Sequence, residues 1–180
     1  MKYNRRLTMK SIVIYSSLTG NTKQVAEAIT SVLPAGTPCV SMKEVPSDLS
    51  SYDLVFAGFW VDKGTANKEA RDVLGTLHNP YIALFATAGV PPQMAHAKES
   101  LINAANCLPD GIEPVGTFIC QGKVDPKVIE MMYKMFPKGH SHGQSADRDA
   151  RHKQAAVHPN EDDFKAAQDF AQHILVKLDR

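Results

Sequence analysis

Short apolar runs alternate with segments of helical periodicity along most of this chain, and that alternation restricts the fold more than any other feature. The strand-like runs are Ser11–Tyr15, Pro38–Ser41, Leu54–Gly58, Tyr81–Thr87 and Glu113–Cys120. Several are β-branched or aromatic and nearly continuous in hydrophobicity, as strands covered on both faces are. Pro38–Ser41 carries the weakest pattern. Between the runs, Val25, Ala28, Ile29, Val32 and Leu33 recur at i, i+3, i+4, i+7 and i+8, and Pro34 closes that segment. Ala70, Val73, Leu74 and Leu77 form a shorter stripe; Met94, Ala97, Leu101, Ala105 and Leu108 form a third. The clearest stripe is the last, Phe164, Ala167, Ala171, Ile174, Leu175 and Leu178. Pro159 or Asn160 is placed to start it, and Glu161–Asp163 suit its N-terminus. Strands alternating with helices of this length build right-handed βαβ units and a parallel sheet.

The chain has 180 residues, the size of one domain, with 43% hydrophobic and 22% charged residues. Neither an internal repeat nor an interdomain linker stands out, so residues 10–180 read as a single domain and 1–9 as a disordered extension, with Met9 as an alternative start. Met1–Lys10 is polar and basic, and the apolar run behind it, Ile12–Tyr15, is too short for a signal-peptide core. There is no apolar stretch of membrane-spanning length. Twenty basic against nineteen acidic side chains leave a net charge of +1, which gives no footprint for nucleic acid in the totals. Cys39, Cys107 and Cys120 are too few and too widely spaced for a disulfide framework or a CxxC motif, and suit a reducing, cytoplasmic setting. Regularity breaks at residues 122–158. There a short helical piece, Val128–Phe136, precedes the polar run KGHSHGQSADRDARHKQ, read as a long loop before the last helix.

The chemistry concentrates at the end of the first strand, where Ser16-Ser17-Leu18-Thr19-Gly20-Asn21-Thr22 leads into the first helix. Amides at such a junction are unpaired and the helix dipole favours an anion. Ser17, Thr19 and Thr22 add hydroxyl donors, and Gly20 lets the backbone come close to a ligand. No lysine follows the glycine, so this is not a Walker A loop, and there is no G-x-G-x-x-G. Neutral donors suit a phosphate monoester that stays bound rather than one that is transferred. In isolation the string would read as an ordinary helix cap; directly after the first strand of a βαβ chain it reads as a phosphate loop.

At this motif the sequence resembles the flavodoxin family, whose FMN phosphate loop has the pattern [ST]-x-T-G-x-T; the resemblance extends over essentially all of the chain from Lys10 onward. It implies a flavodoxin-like, doubly wound α/β fold with a five-stranded parallel sheet in the order 2-1-3-4-5, and a ligand at the carboxyl ends of the strands near the topological switch point. It also implies FMN as cofactor, held by Ser17, Leu18, Thr19, Gly20, Asn21 and Thr22. Two further loops would wall the ring. Phe59, Trp60 and Val61 lie in the first, with Trp60 against the ring and Phe59 the better candidate for the core; Thr87, Ala88 and Gly89 form the second. The stacking tyrosine and acidic neighbours of electron-carrier flavodoxins are missing from the second loop, which looks like the short T-A-G type of FMN-dependent reductase branches. Fewer carboxylates near a reduced, anionic flavin imply a higher reduction potential. The near-neutral charge departs from the acidic carriers as well. The short loop and residues 121–136 also resemble a flavodoxin branch of anaerobic gut bacteria, some members of which accompany bilirubin reductase.

Other candidates are weaker. Gly122 and Lys123 fall at the carboxyl end of the fifth strand, close to the ligand side. Met131, Met132, Tyr133, Met135 and Phe136 read as a short helix folded onto the domain, or as an adaptable surface. Cys120 reads as a buried strand cysteine before a redox thiol. His140, His142, His152 and His158 do not form a convincing metal pattern and read as a solvated loop, with Lys138–Arg151 as an alternative lid. Three functions stay open: electron transfer between redox partner proteins, a reductase and an acceptor enzyme; an FMN-dependent quinone or tetrapyrrole reductase; and a flavin-free binding module.

Overall fold

Along the first strand, Ile12 and Ile14 point into one apolar layer and Val13 into the other, and the rest of the sheet repeats that alternation. The computed structural model describes residues 9–179. In chain order the elements are β1 (Ser11–Tyr15), α1 (Asn21–Thr30), β2 (Cys39–Ser41), β3 (Leu54–Asp62), β4 (Thr65–Ala66), α2 (Lys68–Leu74), β5 (Tyr81–Ala88), α3 (Ala95–Ala105), β6 (Gly116–Gln121), α4 (Pro126–Met135), α5 (Ala146–Ala155) and α6 (Glu161–Leu178). The sheet runs β2-β1-β3-β5-β6, all parallel, with β4 antiparallel on the end of β3. Setting β4 aside, this is the expected 2-1-3-4-5 order. The turn reverses between β1 and β3, so the ends of those strands diverge and leave a crevice.

One face carries Ile12, Val55, Ala57, Phe59, Leu84 and Ala86 under Ala70 and Leu74 of α2 and Leu101 and Ala104 of α3. The other carries Val13, Phe56, Ala83 and Phe85 under Val25 and Ile29 of α1 and Ala167, Ala171 and Ile174 of α6. Phe170 of α6 stacks on Phe118 at 5.7 Å and meets Phe56 edge-on at 6.2 Å. Asn160 caps α6: its Oδ1 accepts from the amides of Asp162 and Asp163, while Asp163 Oδ2 accepts from the Asn160 amide at 2.8 Å, a reciprocal capping box. Of the expected extension 1–9, residues 1–8 lie outside the described residues, and Met9 packs against the α1/α6 face.

Two expectations are corrected. The segment after Gly58 is not a loop: β3 continues to Asp62 and folds back through β4. The two residues between them, Lys63 and Gly64, both take positive φ, 50° and 78°, as a tight two-residue hairpin needs. The polar run is not a loop throughout either, because α5 forms within it. Ser145 accepts from the Arg148 amide at its start, Asp147 and Asp149 lie in its first turn, and His152 and Lys153 lie in its last. With α4 it makes a small packed unit. Tyr133 donates to Asp149 at 2.9 Å, Arg148 reaches Met132 Sδ, and Phe136 stacks on His140 at 4.7 Å. The Lys123 amide donates to the His158 carbonyl at 2.8 Å and closes the unit at its base.

His152 lies inside that unit, 6.0 Å from the Tyr133 ring, with both ring nitrogens buried and without a hydrogen-bond partner among the described residues. Burial pushes its pKa below the ordinary value, the cations of Arg148 and Arg151 push the same way, and Asp149 opposes them. An imidazole that resists its proton when folded leaves stability intact above its unfolded pKa of about 6.5 and withdraws it as pH falls below that value. Amide protection factors in α4 and α5 are therefore expected to drop between pH 7.5 and 5.5 while those of the sheet hold, and His152→Leu is expected to remove most of that drop. Equal protection at the two pH values would contradict this.

Candidate functional site

A cleft of about 380 Å³ opens at the carboxyl ends of β1, β3, β5 and β6. Its first wall is the turn from β1 into α1. Gly20 occupies the N-cap with φ 96°, a conformation that suits glycine, and it lets the chain turn sharply under the first amides of α1. The first turn of α1 holds no acidic residue, so the positive end of the helix is uncompensated. Ser17 Oγ accepts from the amides of Gly20 at 3.1 Å and Lys23 at 3.3 Å, which leaves its own proton to donate elsewhere. Thr22 Oγ1 lies 2.9 Å from Thr87 Oγ1 in a buried pair that ties this turn to β5. Ser17, Leu18, Thr19, Asn21 and Thr22 all line the cleft.

The opposite walls come from the β3–β4 hairpin and the end of β5. Trp60 and Thr87 are register partners on adjacent strands, and both line the cleft with Val61, Ala88 and Gly89. Phe59 does not. Successive side chains on a strand point to opposite faces, and Phe59 is fully buried in the core under α2 and α3. Gly89 is held by Gln121 Nε2, which donates to its carbonyl at 3.2 Å; a Cβ on Gly89 would come within 2.6 Å of Val124.

The last wall comes from residues 122–125 and Val128, where the chain leaves β6 for α4. Lys123 and Gly122 were legible as ligand-side residues from their place after the fifth strand. Asp62, Val124, Asp125 and Val128 were not; Asp62 needed the hairpin, and the others needed the packing of the α4 stem. Asn21 Nδ2 donates to the Lys123 carbonyl at 2.8 Å and joins this wall to α1. The carboxylate of Asp125 accepts from the Lys127 amide and starts α4. Asp62 and Asp125 thus place acidic groups on the cleft that the 87–92 loop lacks, with the Lys123 cation among them. Lys138–Arg151 contribute nothing to the lining, so they are not a lid in this conformation. His140 and His142 pack around Phe136, and His158 pairs with Asp163 at 2.6 Å. Cys120 is buried in β6, and burial pushes its thiol pKa well up, away from thiolate chemistry. Among the described residues, no helix is long and apolar enough to cross a membrane.

Two curated relatives match nearly end to end. Flavodoxin-like domain-containing protein BilS of Clostridioides difficile is 35% identical over 94% of this chain and 98% of its own. The protein of the same name from Clostridium symbiosum is 34% identical over 90% of this chain and 94% of its own. Among solved structures, a flavodoxin from the domain Archaea covers 96% of this chain and 100% of its own with a TM-score of 0.50 at 14% identity, a likeness of fold alone. The family model of the flavodoxin domain matches residues 12–172, which takes in the whole sheet but for Ser11 and all but the end of α6, and the chain belongs to the flavodoxin family.

Proposed function

We propose that the chain binds FMN in this cleft and serves as an electron-transfer protein between redox partner proteins. The observation that carries the reading is the shape of the cleft: an uncompensated helix N-terminus with hydroxyls at one end, and Trp60 with the Thr87–Gly89 backbone at the other. The residues fit the group. A phosphate monoester finds amides and the Ser17 and Thr19 hydroxyls at Ser17–Thr22, and a flat ring finds an aromatic side, a backbone side and the apolar Val61, Ala88 and Val128. Bound FMN would supply the redox chemistry, accepting and releasing electrons. The protein's own residues hold the phosphate, keep the ring between Trp60 and the 87–89 backbone, and set its electrostatic surroundings through Asp62, Lys123 and Asp125.

An FMN-dependent reductase acting alone is the second reading. It is favoured by the wall that residues 122–125 and Val128 add beside the ring position, where a small acceptor would rest. A visible spectrum with and without added FMN tests the site, and anaerobic titration separates the functions. Reduction in two distinct one-electron steps, with no turnover of small acceptors, supports the carrier; direct two-electron reduction by a nicotinamide supports the enzyme. Absence of any flavin complex would leave the flavin-free binding module. Thr19→Leu removes a donor and intrudes on the phosphate position, and it is expected to weaken FMN binding at least about tenfold, from the loss of one charge-assisted hydrogen bond. Unchanged affinity by fluorescence titration would refute the phosphate assignment.

A further inference from the structure

Beside the cleft, three polar side chains meet at a place the sheet does not require them. Ser16 and Asn67 are 2% and 4% exposed, and Glu69 lies beside them in the first turn of α2. The Ser16 hydroxyl donates to the Glu69 carboxylate and accepts from Asn67 Nδ2 at 2.8 Å. A carboxylate only accepts, so the one hydroxyl proton is committed to Glu69, and Asn67 has to present its NH₂ group. That orientation leaves Asn67 Oδ1 buried and without a partner among the described residues.

Asn67 occupies the N-cap of α2, where an asparagine side chain ordinarily accepts from the first helical amides; here it makes no cap hydrogen bond. Its amide group is diverted to Ser16 instead. The main chain completes the arrangement: Asn67 N donates to the Trp60 carbonyl at 3.1 Å, and Ser16 N donates to the Gly58 carbonyl at 2.9 Å. Asn67 therefore grips the Trp60 strand through its backbone and the root of the 17–22 turn through its side chain. Pairing of β1 with β3 through Tyr15 and Gly58 is complete without it. A helix cap given up and an oxygen left unpaired are costs that neither sheet nor helix recovers.

We propose that Asn67 and Ser16 form a clasp coupling the two ends of the cleft, so that an anion on the Ser17–Thr22 turn fixes the Trp60 strand and tightens binding of a flat ring beside it. The inference rests on the flavin reading above. Neither residue lines the cleft; both are positioning residues that act through Trp60 and the turn. Coupling of this kind is reciprocal, so phosphate and ring each strengthen the other by the same factor, about tenfold for typical coupled sites.

Inorganic phosphate and riboflavin are the two separated halves of FMN, and they test the clasp on the full-length apoprotein. Riboflavin affinity is read from flavin fluorescence with and without saturating phosphate. Trp60 is the sole tryptophan, so its emission during a phosphate titration without flavin reports on this strand alone. In the unaltered protein, phosphate is expected to tighten riboflavin about tenfold and to change Trp60 emission. Asn67→Ala is expected to bring the ratio near one and silence the Trp60 response, while phosphate and riboflavin each still bind. Ser16→Ala breaks the same link from the other end and serves if Asn67→Ala does not fold. A ratio near one in the unaltered protein, or full coupling in both variants, overturns the clasp. Failure of the unaltered protein to bind FMN itself would instead overturn the flavin reading, so the two failures are distinct.

Discussion

Gly58→Val is expected to lower the free energy of unfolding by about 3 kcal/mol, the upper part of the range for overpacking a core. Gly58 sits in the middle of β3 and pairs with Phe85 of β5. The Phe85 ring lies directly over it: a Cβ on Gly58 would stand 2.1 to 2.8 Å from three atoms of that ring. Phe85 is fully buried among Phe56, Val25 and Ala83, so the ring has nowhere to swing without displacing α1 or α6. The residue lacks a side chain because its neighbour's ring already fills the space. Urea unfolding of the variant measures the loss directly. Combining Gly58→Ala with Phe85→Leu is expected to cost less than the sum of the two single changes, since the smaller side chain vacates the space the new methyl needs. Additive losses, or a Gly58→Val penalty under about 1 kcal/mol, would show that the ring relocates freely.

Gly20→Val is expected to reduce FMN affinity by at least about a hundredfold, equivalent to about 2.7 kcal/mol. Valine at φ 96° meets two penalties together. A β-branched residue is a genuine outlier there, at a cost of order 1–3 kcal/mol. Relief of that strain moves the amides of Asn21 and Thr22, the groups assigned to the phosphate. Space is not the obstacle, because the nearest atom to a Cβ on Gly20 is the end of the Gln24 side chain at 3.9 Å. Backbone conformation alone is being tested. Gly20→Asn, which tolerates left-handed backbone, is expected to keep most of the affinity. Isothermal titration of both variants decides it: equal losses would mean that the side chain, not the backbone, is at fault.

The parallel strands and their order were legible because both faces of the sheet are covered, so β1, β3 and β5 read as apolar runs with helical stripes between them. The turn at residues 16–22 was legible because its chemistry is local, carried by hydroxyls and one glycine between a strand and a helix. The β3–β4 hairpin was not, since a lysine at positive φ before Gly64 gives no composition signal and the returning strand is two residues long. The α5 helix was hidden by its composition. Only Ala155 of its residues is buried, so it has no apolar stripe, although its cap and end charges stood in the sequence. Asp62 came into the cleft only through the hairpin, and Val128 only through the packing of the α4 stem.

The meeting of Lys123 and His158 has a consequence for how such a domain can change. The chain departs from the sheet and returns to it at nearly one point, like a doorway, and no strand register depends on what lies beyond. A longer or shorter annex could be joined across the same two residues while the sheet keeps its pairing. The threshold itself, Lys123 to Asp125, forms a side of the cleft. An exchange made there would refashion what the chamber admits and leave the scaffold's assembly untouched.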